Sequence, residues 1–109
     1  MLVIAERINA TRRRIARAFE ERDARLLARE VRRQAQAGAD FIDVNAGSDP
    51  AREVENLSWA VEVVQDCTEL PLCLDSANAD ALRAAVRLVR GEVVMLNSVT
   101  GEREKMARV

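Results

Sequence analysis

Four apolar runs in this chain each end on a carboxylate or a carboxamide. "IAERIN" at Ile4 to Asn9 carries Glu6 and Asn9, and "IDVNAG" carries Asp43 and Asn45. "CLDSAN" carries Asp75 and Asn78, and "VMLNSVTG" carries Asn97 and Ser98. An acid beside an amide offers acceptors and a donor together. That set suits a flat heterocycle rich in hydrogen-bonding edges, held at the rim of a parallel sheet. Asp75 and Asn97 are the stronger candidates, because each is the first polar residue after an apolar run. Asn9, Asn78 and Ser98 are equally read as caps and turn residues, whose side chains bond the local backbone. Asp43 lies inside its run, where it either lines the rim or braces it.

Other chemistries find little support. The chain has no His, so imidazole cannot act as base, nucleophile or metal ligand. The serine of "DSAN" therefore lacks a partner to activate it. "NAGS" has a single glycine and does not form a phosphate-binding loop. A glycosidase pair could be drawn from Glu6, Asp43 and Asp75, but sugar sites favour aromatic platforms. Aromatics here are limited to Phe19, Phe41 and Trp59, which also argues against stacked bases. Cys67 and Cys73 form no CxxC, so reduced thiols are expected rather than a zinc site.

The chain has 109 residues and a net charge of -1, with Lys+Arg 17 against Asp+Glu 18. Nucleic acid and anionic membrane are not expected partners of so balanced a chain. The run Arg12, Arg13, Arg14 is read as a solvated helix face. No membrane span or signal-peptide pattern is seen, so a cytoplasmic location is the expectation.

The elements that must position these residues alternate regularly. Leu2 to Ala5 reads as a strand, followed by a short helix capped by Thr11 with Ile15, Ala18 and Phe19 inward. Asp23 caps a second helix with Leu27, Val31 and Ala35 on its buried side, and Gly38 ends it. "DFIDV" at Asp40 to Val44 is the second strand. Asp49 with Pro50 starts a helix that buries Val54, Leu57, Val61 and Val64. "LCLD" is the third strand, opened by Pro71. Asn78 caps a helix with Leu82, Ala85, Val86 and Val89 inward, ended by Gly91. Val93 to Leu96 is the fourth strand, and a fourth helix is expected from Gly101. The fold class is α/β, with parallel strands alternating with helices in four βα units. Strand C-termini of such folds share one edge, so the polar ends should converge there.

With these segments assembled, the chain resembles the methyltetrahydrofolate:corrinoid methyltransferases. The residues carrying the likeness are "IAERIN", "DFIDVNAG" at Asp40 to Gly47, "LCLDSAN" at Leu72 to Asn78 and "VMLNSVTGEREK" at Val94 to Lys105. The same pattern is similar to the folate domain of cobalamin-dependent methionine synthase and, more distantly, to dihydropteroate synthase. The resemblance implies a pterin-binding (β/α)8 TIM barrel, with residues 1–109 as its N-terminal half. It implies methyltetrahydrofolate as donor and a Co(I) corrinoid, carried by a partner protein or domain, as acceptor. Asp75 would hydrogen-bond the pterin ring, and Asn97 would contact it near N5. Glu6, Asp43 and Asn45 would line the same pocket. No protein-bound metal is implied.

A (β/α)8 barrel takes about 250 residues, so the expectation is a fragment inactive alone. The alternatives are a non-catalytic pterin-binding module, a half-barrel that self-assembles as a homodimer or with a complementing half, or a fragment of a dihydropteroate synthase-like enzyme.

Overall fold

The computed structural model describes residues 4–9, 13–46, 49–91, 93–97 and 103–107, with side chains placed for 13–46, 49–91 and Leu96. The strands are β1 (Ile4–Asn9), β2 (Phe41–Asn45), β3 (Leu72–Asp75), β4 (Val93–Asn97) and β5 (Arg103–Ala107). The helices are α1 (Arg13–Glu21), α2 (Ala24–Gln36), α3 (Glu53–Cys67) and α4 (Ala79–Leu88). A single 3-10 turn, Pro50–Arg52, leads into α3. The sheet order is β1-β2-β3-β4-β5. β1 to β4 are mutually parallel.

Local chemistry accounts for most helix boundaries. The Asp23 carboxylate accepts the Leu26 N–H at 3.1 Å. Gly38 takes a φ of +95° just past the end of α2, a conformation that costs an L side chain far more than glycine. Asp49 accepts from Ala51 at 3.1 Å, with Pro50 at the first turn position. Asn78 Oδ1 accepts from the N–H groups of both Asp80 and Ala81, at 2.9 and 3.1 Å. Asn78 is thus a helix cap. The cap expected of Thr11 lies outside the described residues.

One core lies between the sheet and its helices. Ile42, Val44, Leu72 and Leu74 meet Phe19, Leu27, Val31, Leu57, Val61, Val64 and Ala85 there. Side chains alternate across a strand, so Phe41, Asp43, Asn45, Cys73 and Asp75 belong to the other face. Phe41 and Cys73 pack there as a separate pair.

Several sequence expectations are corrected. β1 does not stop at Ala5 but runs to Asn9, because a register shift between Ala5 and Ile8 takes up the extra residue. β2 lies one residue later than expected and includes Asn45. The buried stripe of α3 is Glu53, Asn56, Leu57, Ala60, Val61 and Val64, and Val54 is exposed. Residues 103–107 are not helical. They pair antiparallel with β4, from Val93↔Ala107 to Asn97↔Arg103. "REKMA" has no helical apolar stripe, and the edge of β4 offers its backbone a row of hydrogen-bonding partners. The α/β class holds with three helical crossovers, and the fourth βα unit is replaced by β5.

Candidate functional site

The register of the sheet brings the strand ends into one row. Asn9 pairs with Asn45, Asn45 with Asp75, and Asp75 with Asn97. Register partners in adjacent strands lie on the same face. Asn45, Asp75 and Asn97, far apart in sequence, therefore share one level at the C-terminal edge. β5 adds Arg103, the register partner of Asn97. Asn45 and Asp75 are half-buried, so both are sheltered but reachable.

Asp43 lies one layer deeper. It is 2% exposed and pairs in register with Cys73. Opposite it, β1 is irregular: Ala5 faces Ile42 and Ile8 faces Val44, so Glu6 and Arg7 together oppose the single residue Asp43. A bulge of this kind re-aims side chains and is frequent beside functional sites. Glu6 is therefore beside Asp43 and outside the row. Ser98 lies outside the described residues.

The turn from β3 into α4 is tied down from below. Ser76 directly follows Asp75 and is 5% exposed. Its hydroxyl donates to the Glu53 carboxylate, and its oxygen accepts the Asn78 N–H at 3.0 Å. Glu53, 8% exposed, opens α3. An acid in a first turn is also favoured by the helix dipole. One turn on, the Asn56 carboxamide accepts from Arg22 Nη1 at 2.7 Å. Arg22 has a φ of 52° and forms the corner between α1 and α2. The start of α3 thus anchors two connections through residues three apart on one face.

A cavity of about 610 Å³ lies at the opposite edge of the sheet, lined in part by Pro71, Leu72, Val89 and Gly91. Parallel α/β sheets carry their chemistry at strand C-termini. The row of polar ends is therefore taken as the candidate site in preference to this cavity.

A carboxylate accepts hydrogen bonds only, whereas a carboxamide donates and accepts. Asp75 suits a ring edge with neighbouring N–H donors. Asn45 and Asn97 suit mixed edges. The pterin binding enzyme family matches residues 5–109 of the chain. This chain belongs to the pterin binding enzyme family. It is also 39% identical over 106 residues to the methylcorrinoid:tetrahydrofolate methyltransferase of Eubacterium limosum. That alignment covers 97% of this chain and 39% of that enzyme. The chain thus spans about two fifths of its relative's length.

The sequence reading overlooked Glu53 and weighed Ser76 only as a nucleophile. Glu53 stands four residues before Leu57, on the buried stripe, and an acid in phase with apolar residues was the available signal. Asn9 was read equally as a strand-end polar residue and as a turn residue, and its pairing with Asn45 follows from the register shift in β1. Arg103 depends on the pairing of β5, which has no local signal.

Proposed function

We propose that this chain is the pterin-holding part of a methyltransferase that moves a methyl group between N5 of a folate and a corrinoid carried by a partner protein. The observation that carries the reading is the row Asn45–Asp75–Asn97 at the strand ends. Four parallel strands in consecutive order also suit the first half of a (β/α)8 barrel, with the folate held at its mouth.

In this reading Asp75 accepts from the adjacent N–H groups of the pterin ring. Such charge-assisted pairs are stronger than neutral ones. Asn97 hydrogen-bonds near N5, and Asn45 extends the same edge. Asp43 and Glu6 support the row from the layer below. N5 becomes a good leaving group for the methyl only when that nitrogen is protonated or strongly hydrogen-bonded. Asn97 contributes fixed polarity where charge changes. The attacking atom belongs to one of the two substrates, so the protein needs no nucleophile of its own. This agrees with a chain that lacks His.

The relative's name places the methylcorrinoid as donor and tetrahydrofolate as acceptor. The likeness in the strand-end motifs suggested methyltetrahydrofolate as donor. The same residues serve both directions, because the forward and reverse reactions share one transition state. In each, N5 passes through a positively charged methylammonium: it gains a proton before methyl leaves it, or loses one after methyl arrives.

Titration of 5-methyltetrahydrofolate against the wild-type chain and Asp75→Ala tests the reading. Saturable binding that weakens about a hundredfold in Asp75→Ala is expected for loss of a charged hydrogen-bonding partner. Equal affinity in the two proteins removes Asp75 from the site. Absence of binding by the wild-type chain rejects the reading for this chain.

A further inference from the structure

We infer that Glu53 is the positioning residue of the pterin site: its carboxylate, through the Ser76 hydroxyl, sets the strand-end turn that aims Asp75. The inference rests on the assignment of Asp75 to the pterin ring.

Asp75 is the last residue of β3, and beyond it the sheet no longer holds the chain. Its orientation then depends on residues 76–78. These have few fixed points. The Ser76 hydroxyl donates to Glu53 across 23 positions of sequence, and the Ser76 oxygen accepts the Asn78 N–H. Asn78 in turn caps α4 through Asp80 and Ala81. The turn is therefore held at one end by β3, at the other by α4, and in its middle by Glu53.

Glu53 is well suited to this work. Its backbone belongs to α3, which is fixed to the core by Leu57, Ala60, Val61 and Val64, each 0% exposed. Glu53 and Ser76 are themselves nearly excluded from water. A hydrogen bond in such a place is stronger than at the surface, and losing one partner leaves the other buried and unsatisfied. A binding residue one position from so rigid a tether loses little freedom when ligand arrives, which is how preorganisation raises affinity.

Glu53 does not need to touch the folate. Its part is to accept one proton in a hydrogen bond. A carboxamide can do the same, so charge is dispensable and geometry is not. A residue that only stabilises the fold behaves differently: once stability is restored by other means, its removal no longer affects binding.

The test is calorimetric titration of 5-methyltetrahydrofolate against the whole chain as wild type, Asp75→Asn, Glu53→Ala, Glu53→Gln and the double variant Glu53→Ala/Ser76→Ala. Urea unfolding is measured for each. The double variant leaves neither Glu53 nor Ser76 buried alone, at the cost of the acceptor of the Asn78 N–H, so it keeps the experiment informative if Glu53→Ala folds poorly. The expected result is affinity about tenfold weaker in Glu53→Ala and in the double variant, with Glu53→Gln within about threefold of wild type. Amide exchange at residues 76–78 should quicken in the two Ala variants and not in Glu53→Gln. Wild-type affinity in the double variant overturns the inference and leaves the site assignment standing, provided Asp75→Asn is weakened. Glu53→Gln as weak as Glu53→Ala also overturns it, because charge rather than geometry would then be required. A wild-type chain that does not bind the folate overturns the site assignment and this inference together.

Discussion

Asp75 and Asn97 are register partners at the C-terminal ends of adjacent parallel strands. Their Cα atoms share one level and one face, although 21 residues separate them in sequence. A ligand that spans neighbouring strands can therefore meet both. Asn97→Ala is expected to weaken 5-methyltetrahydrofolate binding about tenfold, the size of one well-placed hydrogen bond. The urea midpoint should be little changed. The opposite pattern, lost stability with affinity intact, would make Asn97 a structural residue. Parallel binding and unfolding curves on one preparation decide it.

Asn78 makes the contrasting case three residues beyond Asp75. Its carboxamide oxygen caps α4 through two backbone N–H groups. Asn78→Ala should cost about 1 kcal/mol of stability. Asn78→Asp should cost little, since a carboxylate caps as well and favours the helix dipole. Both effects are read as shifts in the urea midpoint at constant slope.

Arg22 joins the α1–α2 corner to α3. Its guanidinium lies 5.0 Å from the centre of the Trp59 ring, and Nη1 donates to Phe19 O at 2.9 Å and to Asn56 Oδ1 at 2.7 Å. Trp59 itself meets Phe19 edge-on, with ring centres 5.4 Å apart. The ion pair with Glu55, at 3.6 Å, is exposed on the glutamate side and adds little. Arg22→Ala should destabilise by about 2 kcal/mol through the lost cation–π contact and the stranded Asn56 oxygen. Arg22→Lys should recover less than half, because a single ammonium cannot serve the ring and two oxygens at once. Thermal and urea unfolding give the two values.

The cysteines should differ in reactivity. Neither is in a disulfide; Cys73 is buried and Cys67 half-buried. Burial holds the Cys67 thiol above its ordinary pKa, against a smaller opposing pull from Arg32. The thiol also donates to Val63 O at 3.0 Å. Iodoacetamide at pH 8 should modify Cys67 more slowly than free cysteine, and Cys73 only on unfolding. The linkage has a definite sign. As pH rises past the ordinary thiol value, the unfolded chain loses this proton before the folded one does. The Cys67 contribution to stability is therefore complete below that value and is lost through the interval above it. Cys67→Ser should abolish that portion of the pH dependence in urea titrations.

The sequence was most legible where a side chain serves its own neighbourhood. Asp23, Gly38, Asp49 and Asn78 do locally what their residue types suggest. The strand ends were legible for a related reason: β2 and β3 change from apolar to polar at Asn45 and Asp75, where the sheet stops. Phase was harder to read. Val54 and Glu53 differ by one position, and the turn at Pro50–Arg52 decides which of them faces inward. Pairing was hardest. That β1 bulges opposite Asp43, and that residues 103–107 lie along β4, are properties of distant segments that no window of sequence contains. Glu53 and Ser76 belong to this last class, since neither explains itself without the other.

The pairing of β5 with β4 has a kinetic consequence. β3 occupies one edge of β4 and residues 103–107 occupy the other. A further parallel strand, whatever its origin, can hydrogen-bond to β4 only where β5 has left. Residues 103–107 are thus a resident competitor for that edge, and extension of the sheet past β4 is an exchange reaction. Its rate is limited by how often β5 frays and reaches a plateau as the incoming strand becomes abundant. The same occupancy shields the edge from strangers, so one short strand slows the right addition and the wrong one alike.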